Sequence, residues 1–280
     1  MKKGTLLLII SMLILTSCAS KKHKNIAYLE DTNNKEEQPT LNIFTPRDSK
    51  YTNNQVLIFV HGGNWNSGDK KMYSFIGRNF AKKGITTVIA GYTLSPKANY
   101  DTMAKEIAAA VKWTKKNIRN YNGNPDEIFL TGHSAGGHLI ALIGTNPKYL
   151  ENKKDIKGII LNDAAGLDMK HYLEENPPTN QDDYLATWSK NPKEWKEASP
   201  IYFLDQKTPQ MMIYQGTKTY ESIKIGNERF LKEVHKYQTD VTPILLNKKH
   251  VPMVLQYVFP WSKRYNEILD FMKTTLNEKK

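Results

Sequence analysis

Three features of the chain combine residue types and spacing that could do chemistry. Gly132-His133-Ser134-Ala135-Gly136 fits the pattern G-x-S-x-G, and it lies between a β-type run, Glu127 to Thr131, and a helical pattern. A sharp strand-to-helix turn forces the central serine into a strained backbone, and side chains two residues away on either side would clash. At a helix start the serine also faces the positive end of the helix dipole, which favours developing negative charge. Upstream, His61-Gly62-Gly63-Asn64-Trp65 places a glycine pair directly after the apolar run Gln55 to Val60. Downstream, His250 stands in a short loop after the run Val241 to Leu246 and before the last helical pattern.

A serine nucleophile needs a base. Of the seven histidines, His235 falls inside a helical pattern, His171 lies in a long insertion, and His133 and His138 flank the serine, where packing is the simpler role. His250, in a short loop after a strand-like run, is the remaining candidate downstream of the serine. The acid is less determined. Asp163 ends the buried run Ile159-Ile160-Leu161-Asn162-Asp163, where a charge needs a partner. Glu221 lies among polar residues in a later loop, and a dyad without an acid is a third arrangement. Asp163 is preferred, with Glu221 as the alternative acid. Asp168 reads as a helix cap.

These residues must be carried by a suitable frame. From residue 40 onward, short apolar runs alternate with helical patterns: strands at Gln55–Val60, Ile85–Ala90, Glu127–Thr131, Ile156–Leu161, Gln210–Tyr214 and Val241–Leu246, and helices at Met72–Lys83, Ala104–Ile118, Gly226–Tyr237 and Val254–Lys273. Such alternation predicts an α/β domain over 40–280, a mainly parallel sheet with helices on both faces and functional groups at the carboxyl ends of its strands. Residues 167–208 break the rhythm with an aromatic-rich insertion, which reads as a cap over the site.

The first seventeen residues have the parts of an export signal: Lys2 and Lys3, the apolar run Leu6 to Leu15 broken by Ser11, then small polar residues. Ten residues rise only ~15 Å as a helix, too little to span a bilayer. The run ends Leu15-Thr16-Ser17-Cys18, which resembles the lipobox of bacterial lipoproteins and implies a lipid on Cys18. Cys18 is the only cysteine, so disulfides and thiol nucleophiles are excluded from the body. Residues 18–39 read as a flexible tether. The formal charge is +12, and removing residues 1–17 takes away two lysines and no acid, leaving +10. Lysines are scattered and no recognition helix or RNA-binding motif accompanies them, so nucleic acid is not an expected partner; a basic surface beside anionic lipid or acidic polysaccharide fits an exported protein better. The sequence has no HExxH, Walker or dinucleotide fingerprint, and no cofactor or metal is expected.

Between about Leu41 and Phe271 the chain resembles the HGG-containing branch of the α/β hydrolases, which includes carboxylesterases, feruloyl-esterase-like enzymes and kynurenine-formamidase-like proteins. The shared pieces are His61-Gly62-Gly63, the serine motif, Gly91-Tyr92-Thr93-Leu94-Ser95-Pro96 and Ala198-Ser199-Pro200. The resemblance implies the α/β-hydrolase fold, a catalytic role for His250 from its place after the last strand, and an oxyanion hole made by the N–H groups of Gly63, Asn64 and Ala135. It also exposes two departures. Thr93 replaces the family's arginine, so an ion pair made there is absent. Thr219 stands where the family's acid is expected, three residues past Gly216. The implied activity is hydrolysis of carboxylic esters through an acyl-enzyme, on small esters or acylated glycans at the cell envelope of a bacterium. Amide or formamide cleavage is the nearest alternative, and a non-catalytic lipid-anchored binding protein on this scaffold is the alternative from another class.

Overall fold

A computed structural model describes residues 20–29, 38–48 and 50–277. The expected signal peptide and Cys18 lie outside the described residues. The strands are β1 (Ser20–Ala27), β2 (Thr40–Pro46), β3 (Asn54–Val60), β4 (Thr86–Ala90), β5 (Gly123–His133), β6 (Gly158–Asn162), β7 (Gln210–Gly216) and β8 (Ile244–Leu246). They form one eight-stranded sheet in the order β1-β2-β4-β3-β5-β6-β7-β8. From β4 to β8 every pairing is parallel, while β2 runs antiparallel to both β1 and β4.

Both faces of the sheet are covered, and β3 shows why its sequence is apolar throughout. Val56, Ile58 and Val60 enter one core with Ile107, Val111, Leu139 and Ile143. Leu57 and Phe59 point the other way, into a second core with Ile76, Phe80, Ile268 and Met272. A strand buried on both sides loses the polar alternation of a half-exposed one. The helices on the first face are α2 (Tyr100–Asn117) and α3 (Ala135–Thr145), and those on the second are α1 (Ser74–Ala81) and α9 (Lys263–Asn277). Helix α2 starts where the Asn99 side chain accepts from the Thr102 N–H at 2.9 Å, satisfying one orphan donor of its first turn.

Residues 167–208 contribute α4 (Met169–Glu175), α5 (Tyr184–Trp188) and α6 (Pro192–Glu197). Their aromatic residues pack onto the body of the domain. Trp188, fully buried, meets Trp65 edge-on at 4.8 Å between ring centres and stacks on Tyr100 at 5.6 Å.

Several boundaries differ from the sequence reading. Residues 18–39 are not a continuous tether, because Ser20–Ala27 is an edge strand paired with β2. Behind it Tyr28 is buried, and its hydroxyl donates to the Gly91 carbonyl at 2.8 Å. The lysines of Ser20-Lys21-Lys22-His23-Lys24 hid this strand, although charged side chains are common on sheet edges. The helix expected from Gly226 begins earlier, as α7 (Glu221–Val234). The closing helix is split into α8 (His250–Leu255) and α9, with a 3₁₀ turn at Gln256–Val258 between them. Pro260, which has no N–H to donate, lies in the gap.

Candidate active site

At the end of β5 the chain turns directly into α3, and Ser134 sits at the turn with φ 54° and ψ −122°. That conformation is costly for a residue with a Cβ. The surrounding main chain imposes it. A Cβ on Gly136 would lie 2.2 Å from the Val60 carbonyl oxygen, and one on Gly132 would lie 2.6 Å from the Gly136 carbonyl carbon and oxygen. The His61–Trp65 loop approaches from β3. A Cβ on Gly62 would come within 3.0 Å of the Ser134 Cβ, so this loop abuts the serine. Gly63, Asn64 and Trp65 then take φ values of 129°, 51° and 61°, a run of left-handed residues that turns the loop sharply. The Ser67 N–H and hydroxyl both donate to the Gly63 carbonyl, and the Tyr184 hydroxyl donates to the Asn64 side chain at 3.1 Å. Ala135 opens α3, so its N–H has no intrahelical acceptor.

The Ser134 hydroxyl donates to His250 Nε2 at 2.8 Å, and His250 Nδ1–H donates to Asp163 Oδ2 at 2.6 Å. Of the two carboxylates weighed from sequence, the structure brings Asp163 to the histidine. Glu221 is instead the first residue of α7, exposed and paired with Lys224 at 3.1 Å. Asp163 is fully buried with φ 50° just past β6. Its Oδ1 accepts from the Gly216 N–H at 2.8 Å, and its Oδ2 also accepts from the Thr219 hydroxyl at 2.5 Å. Three donors thus surround one carboxylate, the compensation that burying a charge demands.

The BD-FAE family profile matches residues 41–233. The chain belongs to the BD-FAE family. Among curated relatives, it is 24% identical over 192 residues to esterase LipC of Mycobacterium tuberculosis, an alignment that takes in 64% of this chain and 47% of LipC. The chain therefore spans about half the length of that relative. Among solved structures, esterase B of Lactobacillus rhamnosis superposes with a TM-score of 0.75 at 19% identity, covering 99% of this chain and 96% of the other. A truncated carbohydrate esterase from gut microbiota gives 0.75 at 21% identity, covering 91% and 96%. Sheet order, helical layers and these superpositions make the fold an α/β-hydrolase fold.

In this BD-FAE domain a cavity of about 450 Å³ opens over Ser134 and His250. Its walls include Trp65, Tyr73, Tyr220 and Val251 from the body, with Tyr172 and Tyr184 from the 167–208 segment. That segment therefore forms one side of the site. Among the described residues, no three His, Cys, Asp or Glu side chains cluster as a metal site requires.

The other histidines near the serine serve as props. His133 Nε2–H donates to the His250 carbonyl at 3.1 Å, tying the histidine loop to the Ser134 turn. Burial, reinforced by the neighbouring His250, lowers its pKa to about 4. His138 donates to the Ala198 carbonyl at 2.7 Å and accepts from Trp65 Nε1 at 3.2 Å; burial lowers its pKa to about 4 as well. His61 lies between Tyr73 and Tyr92, with ring centres at 5.8 and 4.6 Å. Asp168 caps α4 through the His171 N–H and pairs with Arg229 at 2.8 Å. At Thr93, where an arginine's ion pair is absent, the N–H and hydroxyl both donate to the buried Glu106, at 2.6 and 2.7 Å. Sequence reasoning did not anticipate the roles of Thr219 or Tyr220. Thr219 was legible only as a missing acid, and Tyr220, 5.2 Å from the His250 ring, carries no motif.

Proposed function

We propose that the chain is a serine hydrolase that cleaves carboxylic esters through an acyl-enzyme. The observation that carries this reading is the hydrogen-bonded line from Ser134 through His250 to the buried Asp163. In this mechanism His250 Nε2 takes the hydroxyl proton as Ser134 Oγ bonds to the ester carbon. The negative charge that moves to the carbonyl oxygen is met by the N–H groups of Gly63, Asn64 and Ala135. Collapse of the intermediate expels the alcohol, which receives the proton from Nε2. Water, deprotonated by the same nitrogen, then releases the acid and restores Ser134. Asp163 holds the tautomer with the proton on Nδ1 and stabilises the imidazolium formed in both steps.

The names of the relatives agree with ester cleavage, and the Asp163–His250 contact speaks against a binding protein that has lost its acid. The aromatic walls of the cavity suit a small ester or an acylated sugar, since ring faces cover the apolar sides of either. Export and a lipid on Cys18 complete the proposal and rest on the N-terminal sequence alone. Labelling with a fluorophosphonate probe tests the centre of the reading. Wild-type protein is expected to label and to hydrolyse p-nitrophenyl esters, whereas Ser134→Ala should do neither, with rate falling by several decades and the melting temperature unchanged. Label on the alanine variant would assign the nucleophile elsewhere. For the anchor, mass spectrometry of the mature protein should find Cys18 as the acylated first residue.

A further inference from the structure

The turn that ends β7 grips the carboxylate of Asp163 from both sides. Gly216 N–H holds Oδ1, and three residues later the Thr219 hydroxyl holds Oδ2. The turn is itself closed by the Thr219 N–H, which donates to the Gly216 carbonyl at 3.3 Å. It is also tied to the histidine loop, because the Thr217 N–H donates to the Leu246 carbonyl and the Lys218 N–H to the Lys248 carbonyl. Thr219 is buried, and its Oγ1 lies 3.3 Å from His250 Nδ1 as well as 2.5 Å from Asp163 Oδ2. One hydroxyl therefore touches both the acid and the histidine.

We propose that Thr219 is a positioning residue for the acid. The proposal rests on the reading of Ser134, His250 and Asp163 as the catalytic line, and it follows from hydrogen-bond chemistry. A hydroxyl that donates to Oδ2 restrains the carboxylate and withdraws part of its charge, so that less falls on the imidazole.

Thr219→Val, Thr219→Ser and Asp163→Asn test this in the full chain. Thr219→Val should lower kcat by roughly tenfold with little change in KM. The acidic limb of its kcat/KM profile should move to higher pH, because an unshared carboxylate holds the imidazolium more strongly. Thr219→Ser, which keeps the hydroxyl, should restore both. A Thr219→Val enzyme with an unmoved profile and kcat within twofold of wild type would refute the positioning role. If Asp163→Asn itself is fully active, the catalytic reading fails first, an outcome distinct from that one.

Discussion

Ser134 and the glycine loop beside it are held by main chain packed against main chain, whereas Asp163 and His250 meet through side chains reaching across three loops. On the Ser134 side the contacts are steric. The Gly132 and Gly136 positions admit no Cβ, and Gly62 admits none without pushing on His133 and Ser134. On the acid side the contacts are hydrogen bonds from Gly216, Thr219 and His250 to one buried carboxylate. A steric requirement leaves a fixed pattern of small residues in the sequence. A hydrogen-bonding requirement is met by any carboxylate that arrives at the right point, from whichever loop.

That contrast predicts different failures on the two sides. Gly136→Ala should have the largest effect, because its Cβ would sit 2.2 Å from a main-chain oxygen that cannot rotate away. Loss of the cooperative melting transition together with activity is expected. A folded, active alanine variant would mean that the Ser134 turn is not held sterically. Asp163→Asn should separate the two properties: the fold is kept, while kcat falls by about 10³–10⁴ through stabilisation of the wrong histidine tautomer. Retained activity in Asp163→Asn would place the acid elsewhere.

A third prediction concerns pH. His133 and His138, on the Ser134 side, are held neutral by burial down to about pH 4, against 6.5 for a free imidazole. As pH falls through 6.5 the unfolded chain binds protons that the folded chain refuses. The stability these groups contribute, complete above 6.5, is therefore lost progressively towards 4, on the order of 2 kcal/mol for each at pH 5. Urea midpoints at pH 7 and pH 5 measure this, and identical midpoints would contradict it. The smallest effect belongs to Glu221→Gln. Among the described residues its exposed carboxylate meets only Lys224, so kcat should stay within about twofold of wild type, and a larger loss would blur the distinction between the two loops.

The same contrast explains what the sequence could convey. The central strands were legible as apolar runs, being buried on both faces, and the serine turn as a glycine pattern in its strand–helix setting. The pairing of His250 with a carboxylate was legible in kind but not in position, since Asp163 and Glu221 both lie in loops at the carboxyl end of the sheet. What separates them is burial: Asp163 directly follows a strand inside the sheet, whereas Glu221 begins a surface helix. Thr219 could be seen only as a departure, because nothing in a threonine announces a carboxylate from another loop. At the periphery, β1 was hidden by its lysines, and β8, only three residues long, was overestimated because an apolar run does not reveal where its partner strand stops.

Strand β1 also sets where the N-terminal segment joins the domain. It is antiparallel to β2, which is antiparallel to β4, so β1 runs parallel to β4 and Ser20 enters the sheet at the amino ends of the parallel strands. Ser134 lies at the opposite end of the sheet, just past the carboxyl end of β5, and four strands across, a lateral step of roughly 19 Å. The chain leading into Ser20 therefore joins the domain at the end of the sheet away from the cavity.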